Sequence, residues 1–358
     1  MADYSRDAWL DNVKAVLVTF VVTGHFIASG VSRIPEFALL SNFIYSFHMP
    51  AFLFISGFLM KRRIREREYG KVGKTVILPY CVSQIFIFIC AALIPDGARA
   101  LSAEKMTDGG FFSLLYPIYH LWYFVAVALG FLFCVLVKSE KRPLTALALS
   151  AVLSIAAGFY GNAEFLRLTK CLGYMPFLVL GAVMPREYLE KLKSKNILKL
   201  PAALCVAATV AVLWLIRSSG GITTILAMTG KFGDYFGMSA PEAALARLGF
   251  LVWGSVLALS VMALCPRRKT FFTYIGENSV YVFVLHAVVL AVLRHYNYGS
   301  KFIYGMTESP VQLAFVLSSF AVAALLASKP VRTAFKWLAD PYGVFCRIKS
   351  SLSKSKKR

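Results

Sequence analysis

Charged residues are scarce in this chain of 358 residues, of which only 16% are Asp, Glu, Lys or Arg. Water-soluble domains carry about 25% charged and about 45–50% apolar residues, whereas this chain is 58% hydrophobic. Its mean hydropathy of +0.65 agrees with that contrast. The shortage of charge excludes a single water-soluble domain and favours a membrane protein.

Paired cysteines and nucleotide-binding loops are also missing. The 7 cysteines are scattered, mostly inside apolar runs, and form no C-x-x-C pair, so the sequence predicts neither a disulfide framework nor a zinc site. No Walker loop, G-x-G-x-x-G after a strand, H-E-x-x-H or G-x-S-x-G motif occurs. We therefore expect no metal and no permanently bound cofactor.

Acidic residues are the scarcer charge, with 18 Asp+Glu against 39 Lys+Arg and a net charge of +21. Such an excess is typical of proteins that bind nucleic acid or a membrane surface. The basic residues here stand in short clusters between long apolar runs. We therefore expect membrane lipids, and no nucleic acid, as partners.

Long apolar runs are what the sequence has in abundance. A bilayer core of about 30 Å requires about 20 apolar residues in a helix, and ten runs approach this length. They lie near 13–31, 40–60, 75–94, 118–137, 143–160, 171–185, 198–216, 243–265, 277–294 and 309–328. We predict an all-α integral membrane protein of about ten transmembrane helices, with a polytopic membrane domain at 1–330 and a basic cytoplasmic tail at 331–358.

The basic residues also predict the orientation of the chain. Of the 39, 29 fall in alternate segments that begin with the amino terminus, 9 fall in the intervening segments, and Arg247 lies within a span. Lys and Arg near span ends stay in the cytoplasm, so both termini are predicted to be cytoplasmic. An alternative for the first run is a signal peptide, with Ala28 and Gly30 before a cleavage site.

Ionisable residues inside the first span mark it as a functional element. Asp11 precedes Lys14 by three residues, close enough to pair with it. Lys14 and His25 fall about 20° apart around the helix and ~16 Å apart along it, so they share one face. The alternatives are helix-dipole stabilisation for Asp11 and snorkelling for Lys14.

The second span contains Phe47-His48-Met49-Pro50. Pro50 cannot donate to the Ser46 carbonyl, so we expect the helix to bend one turn from His48. Such bends are tolerated where they line a polar cavity. Counting from the span ends puts His25 and His48 at one depth, which predicts a shared site; a helix-to-helix hydrogen bond is the alternative.

Later segments supply a second group of candidates that bind an acceptor or support the site. They are His120, Trp122, Tyr123, Ser279 and His286. Ser279 and His286 fall on one helical face, whereas an aromatic belt at the outer interface is the alternative for the other three. We interpret His295 as a surface residue. The glycine-rich loop 217–242 is either a re-entrant, sugar-stacking segment or a mobile external loop.

Together these segments resemble the membrane acyltransferase-3 family, and most closely its fucose 4-O-acetylase branch. The resemblance covers about residues 6–290. It rests on Trp9-Leu10-Asp11-Asn12-Val13-Lys14, His25, Phe47-His48-Met49-Pro50-Ala51-Phe52, Ser56-Gly57-Phe58, His120-Leu121-Trp122-Tyr123, and Gly276-Glu277-Asn278-Ser279 through Tyr281 and His286.

The resemblance implies that an acetyl group moves from cytoplasmic acetyl-CoA to a sugar hydroxyl of a cell-surface glycan or its lipid-linked precursor, in a bacterial inner membrane. It also implies that Lys14 and His25 bind the donor and catalyse the transfer. Some members add an extracytoplasmic hydrolase-like domain; here we expect the acceptor hydroxyl to reach the membrane site itself.

The chemistry requires a base for the hydroxyl and stabilisation of an oxyanion. We predict His25 as the base, or as the carrier of a covalent acetyl group. His48 is predicted to orient His25, bind the acceptor or donate to the oxyanion. Asp11 and Lys14, with Arg62 and Arg63, are predicted to bind the donor.

Other classes of function are compatible with the same spans. Ten helices with polar groups at mid-depth also describe a transporter of small molecules or lipid-linked sugars. The lack of repeats and of an acid at mid-depth counts against a carrier. A structural partner in polysaccharide assembly is a third interpretation.

Overall fold

The computed structural model describes residues 7–94, 114–160, 165–216, 222–229, 231, 237–296, 306 and 308–355. All regular secondary structure in these ranges is helical, and no strand occurs in them. The all-α prediction is therefore confirmed for the described part of the chain.

Ten apolar helices form the body of the protein within the described ranges. They are α1 (Ala8–Ile27), α2 (Pro35–Arg65), α3 (Tyr69–Leu93, with a π turn at Gly73–Ile77), α4 (Trp122–Leu136), α5 (Pro143–Ala157), α6 (Leu168–Val183), α8 (Lys199–Leu215), α10 (Ala240–Leu264), α12 (Ser279–His295) and α13 (Ser309–Leu326). Further helices connect or follow them. These are α7 (Arg186–Ser194), α9 (Ile222–Leu226), α11 (Thr273–Glu277), α14 (Lys329–Ala334), α15 (Lys336–Ala339) and α16 (Pro341–Ser355).

Seven helices in the described ranges are long and apolar enough to cross a membrane, counting the short turns that extend α1, α6 and α8. They are α1, α2, α3, α6, α8, α10 and α13. Helices α4, α5 and α12 are apolar but have 15, 15 and 17 residues, or about 22–26 Å of helix. The chain is thus a multi-pass membrane protein. The count of about ten spans and the cytoplasmic termini remain predictions, as does the domain boundary at 330.

Each predicted run coincides with one helix, but the first four helices start four to six residues away from the predicted 13, 40, 75 and 118, at Ala8, Pro35, Tyr69 and Trp122. Helix α1 begins at Ala8 rather than 13, because the Asp7 side chain caps it by accepting from the Trp9 amide at 2.9 Å. Its first turns carry Asp11 and Asn12, which are polar but buried within the protein. A prediction from hydropathy alone therefore places the start of the helix too late. Helix α4 begins at Trp122 rather than 118, which leaves His120 in the preceding turn.

Glycines allow α2 and α6 to cross at close range. A Cβ at Gly57 would overlap the Leu178 carbonyl oxygen, and a Cβ at Gly181 would overlap that of Phe54. Small residues at such crossings let two helix backbones approach inside a membrane. The Ser56-Gly57-Phe58 segment therefore has a packing role.

The amino-terminal end of α1 is tied to the segment before α12. The Trp9 indole donates to the Met262 carbonyl at 3.1 Å. The Asn12 amide donates to the carbonyls of Pro266 and Arg268, both at 2.9 Å, and its oxygen accepts from Thr273 at 2.7 Å. These bonds hold α11 against α1.

The carboxyl-terminal segment begins against the helix bundle. The rings of Phe335 and Trp337 lie 5.8 and 5.3 Å from that of Phe86 on α3, measured between centroids. Leu338 is fully buried. Helix α16 follows and exposes large apolar side chains, namely Tyr342, Phe345, Ile348 and Leu352.

Candidate active site

Three histidines from distant parts of the chain meet where α1, α12 and the turn before α4 converge. This three-histidine cluster consists of His25, His120 and His286. His25 Nδ1 lies 2.8 Å from His286 Nε2, and the two rings stack with centroids 5.0 Å apart. The His120 ring lies 4.6 Å from that of His286 and 6.4 Å from that of His25, between centroids.

Hydrogen bonds around His286 fix which nitrogen of His25 carries the proton. His286 Nδ1 lies 3.0 Å from the Val282 carbonyl oxygen, which only accepts, so this nitrogen is protonated. In neutral His286, Nε2 then accepts, and it accepts from His25 Nδ1–H. Neutral His25 is left with an unprotonated Nε2, which is the nitrogen that a general base needs.

A cavity of about 330 Å³ adjoins the cluster. Its wall carries histidines, tyrosines and cations. The lining residues are His25, Ala28, Tyr45, Tyr119, His120, Trp122, Arg167, Thr169, Lys170, Thr229 and Arg294. We call it the histidine cavity. His286 is fully buried behind it, whereas His25 is partly exposed. Of the two bonded rings, His25 is therefore the one that lines the cavity.

Aromatic rings hold the cations of the histidine cavity. Lys170 Nζ lies 4.7 Å from the centroid of the Trp122 ring, and the Arg294 guanidinium lies 5.6 Å from that of Tyr119. Such contacts stabilise a cation away from bulk water. Lys170, Arg167 and Arg294 are among the nine basic residues of the intervening segments. In the sequence they contribute only to the predicted orientation, and no local pattern marks them as part of a site.

The backbone is strained around the histidine cavity. Tyr119 and Arg167 line it with φ values of 48° and 49°. Leu166 and Met228, each next to a lining residue, have φ values of 51° and 54°. Side-chain-bearing residues rarely adopt this left-handed conformation, and such strain clusters at functional sites.

His48 lies one helical turn from the cavity and does not share a bond with His25. Its Nδ1 lies 2.6 Å from the Ile44 carbonyl oxygen, and its ring packs edge-on against Tyr45 with centroids 5.0 Å apart. The expected direct partnership of His25 with His48 is replaced by the bond from His25 to His286. Helix α2 stays helical on both sides of Pro50, so Pro50 does not break it.

The other acceptor candidates fall into two layers. Trp122 lines the cavity, and its ring stacks on Tyr174 with centroids 5.5 Å apart. Tyr123 lies behind the cavity, where its hydroxyl and that of Ser56 are 2.6 Å apart. Ser279 opens α12, half-buried, and lines neither the histidine cavity nor the basic cavity described next.

A second cavity, of about 1320 Å³, lies at the other end of the same helices. Eight cationic and four acidic side chains line it, and we call it the basic cavity. The cations are Lys61, Arg62, Arg63, Arg65, Lys71, Arg186, Lys193 and Arg267, and the acids are Asp7, Glu68, Glu140 and Glu190. Both arginines that the sequence predicts as donor ligands, Arg62 and Arg63, are therefore on its wall.

Asp11 and Lys14 form the predicted pair but do not line the basic cavity. Their side chains make a salt bridge of 2.6 Å, and Asp11 is buried. The carbonyl of Asp11 contacts the backbone at Gly276, where a Cβ would overlap it. Leu10, which does line the cavity, comes directly before Asp11 and one helical turn before Lys14.

Three helices connect the two cavities. Helix α1 spans ~22 Å between Leu10 in the basic cavity and His25 in the histidine cavity. Helix α2 spans ~20 Å between Phe58 and Tyr45 in the same way. Helix α6 places Ala182 in the basic cavity and Lys170 in the histidine cavity. With the predicted orientation, the basic cavity faces the cytoplasm and the histidine cavity faces outward. His25 thus lies near the outer end of α1 rather than at mid-depth, because the helix starts five residues earlier than predicted.

Part of the glycine-rich loop 217–242 packs into the protein. Helix α9 donates from the Thr223 hydroxyl to the Asn42 amide oxygen at 2.6 Å, and Met228 is buried beside Gly173. Thr229 reaches the histidine cavity. Residues 222–229 therefore behave as an inserted segment, whereas Gly220, Gly221, Gly230, Gly233, Asp234, Tyr235 and Phe236 lie outside the described residues.

Three histidines are a common metal-ligand set. Here two of them direct their facing nitrogens at each other, and no group with metal-binding geometry occurs in the described ranges. The bond between His25 and His286 is one along which a proton can be held or passed.

Comparison with known proteins adds one match. The family model described as "Acyltransferase domain", of the acyltransferase-3 type, matches residues 7–328. No curated protein and no solved structure matches the chain.

Proposed function

The chain belongs to the acyltransferase-3 family and is an acyltransferase; from that premise we propose that it transfers an acetyl group from cytoplasmic acetyl-CoA to a sugar hydroxyl. The acceptor is a cell-surface glycan or its lipid-linked precursor, and the membrane is a bacterial inner membrane. The observation that carries the proposal is His25 at the wall of a polar cavity with its Nδ1 bonded to His286, a bond that leaves Nε2 of the neutral ring unprotonated. Fucose, the sugar of the branch that the sequence resembles, is the first acceptor to test.

The donor binds in the basic cavity. Its eight cations exceed its four acids, so it attracts the phosphates of CoA. Arg62 and Arg63 supply planar guanidinium groups suited to phosphate oxygens. Lys14 extends this cationic path along α1 toward His25, with Asp11 fixing its position.

Transfer follows from the proton positions at His25. The sugar hydroxyl oxygen attacks the thioester carbonyl carbon while His25 Nε2 takes the hydroxyl proton. The oxyanion then collapses, the carbon–sulfur bond breaks, and the thiolate of CoA takes the proton from His25. His286 stabilises the transient imidazolium by accepting from Nδ1 throughout. Arg294 and Tyr119 line the same cavity and supply donors for the oxyanion.

The thioester reaches His25 from the cytoplasmic side. His25 is ~22 Å along α1 from Leu10 on the wall of the basic cavity and ~16 Å from Lys14. An extended pantetheine arm has about the second length, so the CoA phosphates lie at Lys14 when the thioester is at His25. The acceptor enters the histidine cavity from the opposite side. A covalent acetyl group on His25 is the alternative route, and it predicts labelled protein when acetyl-CoA is supplied without acceptor.

The remaining candidates act on the acceptor. The Nδ1 proton of His48 is bonded to the Ile44 carbonyl, so in neutral His48 Nε2 only accepts. His48 therefore suits a sugar hydroxyl rather than the oxyanion. Trp122 lines the cavity and supports Lys170, whose ammonium lies over its ring, and Tyr123 holds α4 against Ser56 on α2. Ser279 retains a supporting role at the start of α12.

Membrane lipids are the third partner. Helix α16 exposes Phe345, Ile348 and Leu352 and carries Arg347 and Lys349. An exposed apolar stripe beside basic residues suits a helix that lies on an anionic membrane surface. This location agrees with a cytoplasmic carboxyl terminus.

Purified protein in nanodiscs, given labelled acetyl-CoA and a fucose-bearing glycan, tests the proposal. We expect His25→Ala to lower the transfer rate by about 10²–10⁴-fold, the contribution of a general base. The matched control is His295→Ala, a histidine at the end of α12 that packs on Tyr296. Undiminished transfer by His25→Ala removes the proposed base, and glycan movement without acetyl consumption identifies a carrier instead.

A further inference from the structure

The charges of the histidine cavity are all of one sign among the described residues. Arg167, Lys170 and Arg294 line it, and no described lining residue is Asp or Glu. Arg167 lies close enough to Lys170 for their charges to repel each other. The basic cavity differs, because four carboxylates stand among its cations. Cations that are partly withdrawn from water, such as Lys170 and Arg167 here, are stabilised when an anion joins them.

Lys170 has an aromatic neighbour instead of a carboxylate. Its Nζ lies above the Trp122 ring, and no salt bridge pairs it with an acid in the described part of the chain. A cation–π contact leaves the ammonium protons on the far side of the nitrogen free to donate. Lys170 is therefore positioned to bind an anion that enters the cavity.

His120 gives a second and independent indication of a ligand. It lines the cavity and is only 4% exposed, yet both of its ring nitrogens lack a hydrogen-bond partner among the described residues. A buried polar group without a partner destabilises the protein until a ligand or water bonds to it. A polyhydroxylated ligand in the cavity supplies that partner.

We propose that the histidine cavity binds an acceptor sugar that carries an anionic group, a phosphate or a carboxylate. The anion lies against Lys170 and Arg167, His120 bonds a neighbouring hydroxyl, and the reacting hydroxyl faces His25. The cavity volume of about 330 Å³ suits one sugar unit with its anion rather than a long glycan segment. The position of the reacting hydroxyl at His25 rests on the proposed function, whereas the binding of an anionic sugar does not.

Binding measured without any acyl donor tests the site. The probes are glucose, glucose 1-phosphate and glucuronate, titrated against the full-length protein in nanodiscs. Tryptophan fluorescence reports binding because Lys170 sits on Trp122, and Trp122→Phe identifies that part of the signal. We expect at least one anionic sugar to bind tenfold or more tightly than glucose, with the preference weakened by added salt.

Charge substitutions locate the preference. Lys170→Gln and Arg167→Gln should each reduce it to less than threefold, whereas Lys170→Arg should keep it. The matched control is Arg33→Gln, which removes an exposed charge from the same predicted face. Melting temperatures measured on the same samples identify any variant that fails to fold. If Lys170→Gln or Arg167→Gln does not fold, the other variant and the salt dependence of wild-type binding test the inference.

Each outcome has a consequence. A preference for glucose 1-phosphate identifies a phosphate-bearing acceptor such as a lipid-linked sugar, and one for glucuronate identifies an acidic sugar. A wild-type preference below threefold, a preference that survives both charge removals, or competition by acetyl-CoA overturns the inference. Tight binding of the anionic sugar by a protein that does not transfer acetyl groups keeps the inference and removes the proposed function.

Discussion

His25 and His286 share a hydrogen bond of 2.8 Å across 261 residues of sequence, and its direction is set by a third group. The Val282 carbonyl accepts a hydrogen bond from Nδ1–H of His286, which makes Nε2 of His286 an acceptor and Nδ1 of His25 a donor. One backbone carbonyl thereby leaves Nε2 of neutral His25 unprotonated. In the proposed mechanism a carbonyl and a histidine perform the orienting role that a carboxylate performs beside other histidine bases.

This relationship predicts that His286 is a positioning residue. His286→Ala should lower kcat about 100-fold, the cost of misplacing a reacting group, and leave the KM for acceptor within twofold. His286→Gln should restore part of kcat, because its amide oxygen accepts from His25 Nδ1. Steady-state kinetics on folded protein distinguish this from general damage; equal kcat values for the Ala and Gln variants would contradict it.

A second prediction concerns the crossing of α2 and α6. Gly57→Ala and Gly181→Ala should each lower stability by about 1–3 kcal/mol or more, because the new methyl group meets a backbone carbonyl that cannot move aside. Gly249→Ala on α10 is the matched control, since its Cβ meets nothing within 4 Å and it gains helix propensity. Thermal unfolding in detergent measures both. Equal melting temperatures for the three variants would show that the crossing tolerates side chains.

A third prediction assigns Asn12 to structure rather than to donor binding. Asn12→Ala leaves the carbonyls of Pro266 and Arg268 without their donor, so we expect a loss of at least about 2 kcal/mol. Asn12→Asp should be no better, because a carboxylate cannot donate. Both variants should keep the KM for acetyl-CoA within twofold in the fraction that folds. A selective rise in that KM without lower stability argues for a direct donor contact.

Local hydropathy predicts the helices well because a helix in a membrane satisfies its backbone hydrogen bonds within its own segment. Its formation therefore does not depend on which other segment it packs against. The ten runs therefore coincide with ten apolar helices, and the errors lie at ends such as Ala8, where a polar turn is buried by protein. The pairing of Asp11 with Lys14 was likewise predictable, since it depends only on helical spacing.

The three-histidine cluster was not predictable in this way. His25, His120 and His286 come from segments about a hundred or more residues apart, and only the packing of α1, α4 and α12 brings them together. Depth along separate helices instead suggested His25 and His48 as partners, because it carries no information about which helices are neighbours. The cations Lys170 and Arg294 were counted for orientation, and their role in the cavity required the fold.

The last prediction concerns charge in the basic cavity. Glu68 follows α2, accepts a hydrogen bond from Lys71 and lies 3.7 Å from Arg62. The hydrogen bond from Lys71, aided by the nearby positive charges, holds the pKa of Glu68 below its usual value. Glu68 therefore stays ionised throughout roughly pH 6–8, and in the proposed function it competes with CoA phosphates for these cations. Glu68→Gln should lower the KM for acetyl-CoA by about two- to fivefold without changing kcat, the modest effect expected of an exposed pair.

The sign of the pH dependence follows from that lowered pKa. The stability that the pair contributes is complete above the ordinary glutamate pKa and is lost as the pH falls through the lower folded value. The KM difference between wild type and Glu68→Gln should thus be constant near neutral pH, and their melting temperatures should converge only in acid. Glu308→Gln, the same change beside α13 and away from the basic cavity, should alter neither quantity. A raised KM in Glu68→Gln would mean that Glu68 positions Arg62 for the donor instead of competing with it.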